Sequence, residues 1–204
     1  KFALNENDKI NLICNDLNSN KGIVTDIQTR DVEKQSPKLF SLSKLQGFCG
    51  KKFKLKPAET LSIVQSLYEK GYVTYPRTNT EYLSENEKHT VLHLLEVHDK
   101  NNVLLFKDSK RIFDDSKIES HSALMPTDKV ANYDSFSSNE KKVYQAIFAR
   151  FNSVFWKEPC IVTETEATIH VGRQFPNDLK IKGQAVKSKG WMRVYGEASV
   201  DKAI

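Results

Sequence analysis

The sequence predicts an α+β chain in which a helical block is inserted between the two parts of a β-rich domain. Three observations carry this reading. Apolar residues recur at every second position over 161–171, as in a half-buried strand. Between residues 42 and 151 they recur at three and four positions instead, as on one face of a helix. A strand-like run at 22–32 precedes that block, so strands flank it on both sides.

The elements can be justified in chain order. Residues 6–18 suit a short helix with Ile10, Ile13 and Leu17 on one face. A turn-rich break at 18–22 leads into the first strand, whose apolar members are Ile23, Val24 and Ile27. The polar stretch 34–38, with Pro37, marks a boundary. Leu42, Leu45 and Phe48 are spaced for a helix face. The next helix starts near Pro57, whose fixed φ suits a first turn. It buries a stripe of Leu61, Val64, Leu67 and Tyr68 and stops at Gly71. Ser84 with Glu87, and Ser137 with Glu140, have the spacing of capping boxes. The helices they open carry Val91, Leu94 and Leu95, then Val143, Tyr144, Ile147 and Phe151. After the strand at 161–171, short strands are expected at 179–181, 185–186 and 191–195. The turn signals Pro176-Asn177 and Lys189-Gly190 separate them.

Composition narrows the classes. Of 204 residues, 39% are hydrophobic and 28% charged, a globular balance that argues against disorder. No apolar run approaches the roughly 18 residues of a membrane span, and no signal peptide is visible, so a cytoplasmic protein is expected. The formal net charge of +5 favours a polyanionic partner bound through salt-dependent phosphate contacts. Cys14, Cys49 and Cys160 are odd in number and widely spaced, with no CxxC pair. A zinc site is therefore disfavoured, and reduced, mostly buried thiols are expected.

Two segments hold the chemistry. In Thr74-Tyr75-Pro76-Arg77-Thr78-Asn79-Thr80, Pro76 pushes Tyr75 away from helical geometry, so the ring is displayed on an extended turn. Arg77, two residues on, shares a face with Tyr75 if the chain is extended. A phenol titrates near 10 in water and is a poor nucleophile at neutral pH. A neighbouring guanidinium favours the phenolate and binds phosphate oxygens bidentately. A covalent tyrosyl ester would keep the energy of the cleaved bond, so resealing would need no nucleotide. The second segment is Ser120-His121-Ser122-Ala123-Leu124-Met125-Pro126-Thr127. His121 can donate a hydrogen bond to phosphate in either protonation state. Ser120, Ser122 and Thr127 add neutral donors. Spacing alone leaves open that Tyr75 is a loop tyrosine, Arg77 a surface charge and His121 a structural hydrogen-bonder.

Together these segments resemble the type IA DNA topoisomerase family, with features of its topoisomerase III-like members. TYPRTNT is similar to that family's TYPRTDS signature, and SHSALMPT to its H-x-A-x-x-P-T segment. Leu39-Phe40-Ser41-Leu42 with Leu45-Gln46 resembles the LxxLQ entry to the tyrosine domain. The run from Glu59 to Glu69 resembles the helix leading to the tyrosine, and Gly190-Trp191-Met192-Arg193-Val194-Tyr195 the return segment.

The resemblance implies a helical domain at 37–158 carrying the catalytic tyrosine, inserted into a β-rich arch, or hinge, built from 1–36 and 159–204. It implies a bacterial isomerase in which Tyr75 attacks single-stranded DNA to form a 5′-phosphotyrosine, with Arg77 steadying the scissile phosphate. His121 would contact the DNA backbone, with Thr78, Ser120, Ser122 and Thr127 as further DNA-binding positions. Mg²⁺ and the general acid would belong to a metal domain lying upstream of Lys1, so the chain is expected to be a central fragment, inactive alone. Its expected partners are single-stranded DNA and the remaining domains of the same polypeptide.

Three departures stand out. Asn79 and Thr80 replace the signature's Asp and Ser. Gly47-Phe48-Cys49-Gly50 stands where an Arg-Glu-Ala-Asn type run is usual. Asp114-Asp115 is an isolated acidic pair rather than a DxD cluster. The alternative reading is a non-catalytic single-strand binding module, in which aromatic and basic residues stack on and neutralise DNA. A relaxase would need a histidine cluster, and here only His89 and His93 have helical i, i+4 spacing. A recombinase would want several Arg and His residues near its tyrosine, where Arg77 stands alone in sequence.

Overall fold

A computed structural model describes residues 6–171 and 178–196, so the turn expected at Pro176-Asn177 falls partly outside it, with both residues among those not described. The described chain forms two compact units. One holds residues 6–34, 160–171 and 178–188; the other holds 35–159 and 189–196.

The first unit contains helix α1 (Asn7–Ser19) and an antiparallel sheet of β1 (Gly22–Glu33), β2 (Ile161–Val171) and β3 (Leu179–Ser188), with β2 in the centre. Register sorts the side chains by face. Ile27, Ala167 and Ile181 lie opposite one another, as do Val24, Ile169 and Leu179, giving one apolar face. Gln28, Glu166 and Lys182, then Arg30, Glu164 and Gln184, make the other face polar. Across it Arg30 meets Glu164 at 2.8 Å, and Lys180 and Lys182 meet Glu166 at 2.7 and 2.8 Å. Those two ammonium groups hold the Glu166 carboxyl down at about 2. The sequence suggests two short strands at 179–181 and 185–186, but β3 is continuous. Gly183 and Gln184 interrupt the apolar alternation, yet they keep their places in the ladder opposite Thr165 and Glu164.

The second unit is mainly helical: α2 (Leu42–Phe53), α3 (Pro57–Glu69), α4 (Lys88–His98) and α5 (Ser138–Val154). Both capping boxes form. Ser137 and Glu140 cap α5, while Ser84 and Glu87 cap a short 3₁₀ turn, Glu85–Glu87, that runs into α4. Helix α5 serves two apolar clusters. Its Val143, Tyr144 and Ile147 pack with Leu45, Val64, Leu67 and Tyr72, while Phe151 and Val154 pack with Leu83, Val91, Leu94 and Phe113. The strand expected at 191–195 is instead a 3₁₀ turn, Gly190–Tyr195, belonging to this unit. Gly190 turns the chain at φ +42, Met192 N–H bonds back to Lys189 O at 2.9 Å, and the Met192 side chain is buried. Arg150 Nε donates to the Tyr195 hydroxyl at 2.9 Å. A three-residue period sets the burial of this segment, not the two-residue period of a strand.

Glu140 ties the end of α3 to the start of α5. Its buried carboxylate accepts from Lys70 Nζ at 2.6 Å, Ser66 Oγ at 2.9 Å and Ser137 N–H at 2.8 Å. The Lys70 hydrogen bond is the chief cause of a carboxyl held at about 2, below its ordinary 4.5. A depressed carboxylate contributes stability that is complete above pH 4.5 and is lost as pH falls towards 2. The contribution is about 2–3 kcal/mol. Denaturant titrations should therefore show the native chain weakening across that window, with Glu140→Gln removing this part of the slope.

Candidate active site

The site begins where α3 ends. Gly71, at φ +78, takes the left-handed position that stops the helix. Its N–H bonds to Tyr68 O at 2.8 Å, and the Tyr72 N–H reaches back to Leu67 O at 2.9 Å, satisfying the last carbonyls. A side chain at 71 would be strained by that φ.

The chain then pairs with the histidine segment. Thr127 N–H bonds to Tyr72 O at 3.1 Å, and Thr74 N–H to Met125 O at 3.0 Å. Val73 and Pro126 form an antiparallel bridge, and Met125 N–H donates to Thr74 Oγ1 at 3.1 Å. The same segment is held from its other side. Leu124 N–H bonds to Phe40 O at 2.8 Å, and Ala123 N–H to Tyr82 O at 2.9 Å. The two sequence segments are thus neighbouring strands of one small assembly.

That pairing brings Tyr75 to His121. Their ring centroids are 4.4 Å apart, tilted by 44°. Tyr68, from the last turn of α3, meets Tyr75 edge-on at 5.4 Å. Tyr68 is 39% exposed, so it leaves the buried stripe suggested by the sequence, which on α3 is Thr60, Val64 and Leu67. Tyr75 is half-buried, neither lost in the core nor free in solvent, and His121 is exposed. Arg77 is exposed and makes no hydrogen bond or ion pair among the described residues. The guanidinium is therefore unspent, and no direct contact joins it to Tyr75.

The other candidate residues divide by role. Thr78 is buried; its hydroxyl donates to His121 O at 2.9 Å, and its carbonyl accepts from Leu42 N–H at 3.0 Å. It fastens the tyrosine loop to the histidine segment rather than offering a free donor. Thr127 is half-buried and donates to Gly71 O at 2.7 Å, a second fastening. Ser120 is exposed and Ser122 half-buried. Asn79 Nδ2 donates to Glu119 Oε2 at 2.8 Å, so a carboxylate stands beside the position where the signature has Asp. A shallow cleft of about 340 Å³ next to this loop includes Lys44 and Lys117, two cations whose proximity to the tyrosine loop has no sequence signal.

The candidate metal residues are engaged elsewhere. Asp114 accepts from Ser116, and Asp115 accepts from Ser84 Oγ and Glu85 N–H. His89 and His93 are exposed on α4, and no group of three or more His, Cys, Asp or Glu that could hold a metal forms among the described residues. These residues do not fit a Mg²⁺ site, and no step is routed through one. Cys49 and Cys160 are buried and Cys14 is exposed; burial pushes the Cys49 thiol up to about 11. No described helix is long and apolar enough to cross a membrane.

The sequence matches the model of the DNA topoisomerase family over residues 1–203. It is 31% identical over 199 residues to DNA topoisomerase 3 of Bacillus cereus, covering 92% of this chain and 27% of that protein. It is 30% identical over 200 residues to DNA topoisomerase 3 of Bacillus subtilis, covering 93% of this chain and 27% of that protein. It is 32% identical over 169 residues to DNA topoisomerase 1 of Alkalihalophilus pseudofirmus, covering 78% and 23%. The chain thus spans about a quarter of the length of the curated relatives it matches. In fold it is similar to full-length topoisomerase I from Thermotoga maritima, with TM-score 0.64, 19% identity, and coverage of 96% of this chain and 32% of that one.

Proposed function

This chain belongs to the DNA topoisomerase family, and from that premise we propose that it is the strand-cleaving portion of a type IA enzyme, with Tyr75 as nucleophile. The Tyr75 hydroxyl oxygen attacks a phosphorus of single-stranded DNA. The new O–P bond forms as the P–O3′ bond breaks; the phenol gives up its proton and the leaving 3′-oxygen takes one up. A 5′-phosphotyrosine results, and resealing reverses both bonds without a nucleotide.

One observation supports this most: the half-buried Tyr75 ring is clasped between Tyr68 and His121 beside a loop that carries an unpaired Arg77. Packing on two sides limits where the hydroxyl points, which lowers the cost of orienting it for attack. The His121 imidazole, exposed at its edge, donates to the phosphate backbone. Arg77 carries the charge that builds on the equatorial oxygens. Thr78 and Thr127 act through the backbone by holding the two segments in register. In the proposed cycle the helical domain, 37–158, is an insert in the β-rich arch of 1–36 and 159–204, and it carries one DNA end while another strand passes.

Mg²⁺ and the acid that protonates the 3′-oxygen belong, in this reading, to other parts of a longer polypeptide. The test is direct. The purified 204-residue chain should leave negatively supercoiled DNA unrelaxed in Mg²⁺ buffer. Efficient relaxation by this chain alone would overturn the division of labour proposed here.

A further inference from the structure

The helical unit holds a second cleft that the proposed cleavage chemistry does not use. It has a volume of about 470 Å³, and its walls include His98, Tyr133, Tyr144, Phe148, Asn152 and Trp156. That size falls in the range of small-molecule sites, roughly 300–1,000 Å³. Two atoms of its lining residues, Asn152 Oδ1 and Trp156 Nε1, are buried with no hydrogen-bond partner. Folded proteins leave few such groups, because each forfeits its hydration without recompense. One is an acceptor and the other a donor. Turning the Asn152 amide over would exchange O for N and leave the need for a partner unchanged.

The remaining surface is aromatic. Tyr144 and Phe148 lie nearly parallel, 18° apart in plane with centroids at 5.9 Å, and His98 meets Phe148 edge-on at 5.1 Å. Tyr133 is 39% exposed. Burial pushes the Tyr133 and Tyr144 phenols up, so both stay neutral near pH 7. Asp99, also at the cleft, spends its two carboxylate oxygens on Val103 and Leu104 N–H, whereas Lys100 beside it is exposed.

We propose that this cleft binds one unstacked nucleobase with a lactam edge, such as thymine, on a DNA strand held by the protein. The base carbonyl accepts from Trp156 Nε1–H, and the adjacent ring N–H donates to Asn152 Oδ1. The aromatic walls take the π-face, and Lys100 draws in the sugar-phosphate. A peptide amide offers the same donor and acceptor but lacks the flat face that these rings suit.

The probe is thymidine 5′-monophosphate, titrated into the 204-residue chain while the two indole N–H signals, of Trp156 and Trp191, are followed by NMR. The Trp156 signal, assigned with Trp156→Phe, should move saturably while that of Trp191 stays. The N3-methyl analogue should bind about tenfold more weakly, the value of one lost hydrogen bond. Asn152→Leu, which replaces an unpartnered amide by an apolar group of similar size, should stay folded and lower affinity by a similar factor. The response should persist in Tyr75→Phe/Arg77→Ala, which separates this site from the cleavage chemistry. The proposal fails if no saturable shift occurs, or if deoxyribose 5-phosphate gives the same one. It also fails if a blocked glycine amide moves the signal more than the nucleotide, which would assign the cleft to polypeptide.

Discussion

Tyr75→Phe should abolish covalent attachment to DNA in the full-length polypeptide while leaving the fold in place. The substitution removes one oxygen. The ring that packs against Tyr68 at 5.4 Å and His121 at 4.4 Å remains. No hydrogen bond of the Tyr75 hydroxyl is found among the described residues, so no partner is left unsatisfied. Unfolding free energy should therefore change by no more than about 0.5 kcal/mol. Strand cleavage should fall below detection, because no other group takes over the covalent bond. Binding of single-stranded DNA should change little, since phosphate contacts dominate its affinity. The same experiment separates catalysis from simple binding. A single-strand binding module that stacks bases on Tyr75 has no covalent product to lose.

Arg77→Ala should slow cleavage by about 10²–10³-fold, the cost of removing one preorganised donor to a charged transition state. Arg77 is exposed and unpaired among the described residues, so its stability effect should again be within about 0.5 kcal/mol. Arg77→Lys should recover only part of the rate. A point charge replaces the bidentate fork that matches two phosphate oxygens. Single-turnover cleavage of a labelled oligonucleotide measures both variants. Equal rates for Arg77→Ala and the parent would remove the guanidinium from the mechanism.

Local signals were legible where physics is local. Gly71 stops α3 because only a residue tolerant of positive φ closes that helix end. Ser84 and Ser137 cap as their spacing with Glu87 and Glu140 requires. The strict alternation at 161–171 gives β2. Signals failed where a distant partner decides. Tyr68 has the spacing of a buried residue on α3, yet it leans on Tyr75, four residues past the helix stop at Gly71. At 191–195, a buried Met192 and the Arg150–Tyr195 hydrogen bond override a strand-like pattern. The Tyr75 and His121 motifs can be read separately, but nothing local shows that Thr74 pairs with Met125 or that Thr78 grips the His121 carbonyl. Such contacts lie 43 to 51 residues apart and depend on the fold.

The central claim is tested most directly by covalent capture. A single-stranded oligonucleotide is labelled at either end, incubated with the full-length enzyme, and denatured before the protein is digested and sequenced by mass spectrometry. The account predicts that the 3′-labelled piece stays on the protein, joined through its 5′-phosphate to the peptide holding Tyr75, and that the 5′-labelled piece is released with a free 3′-hydroxyl. An adduct that retains the 5′ label, maps to another residue, or persists in Tyr75→Phe would contradict it.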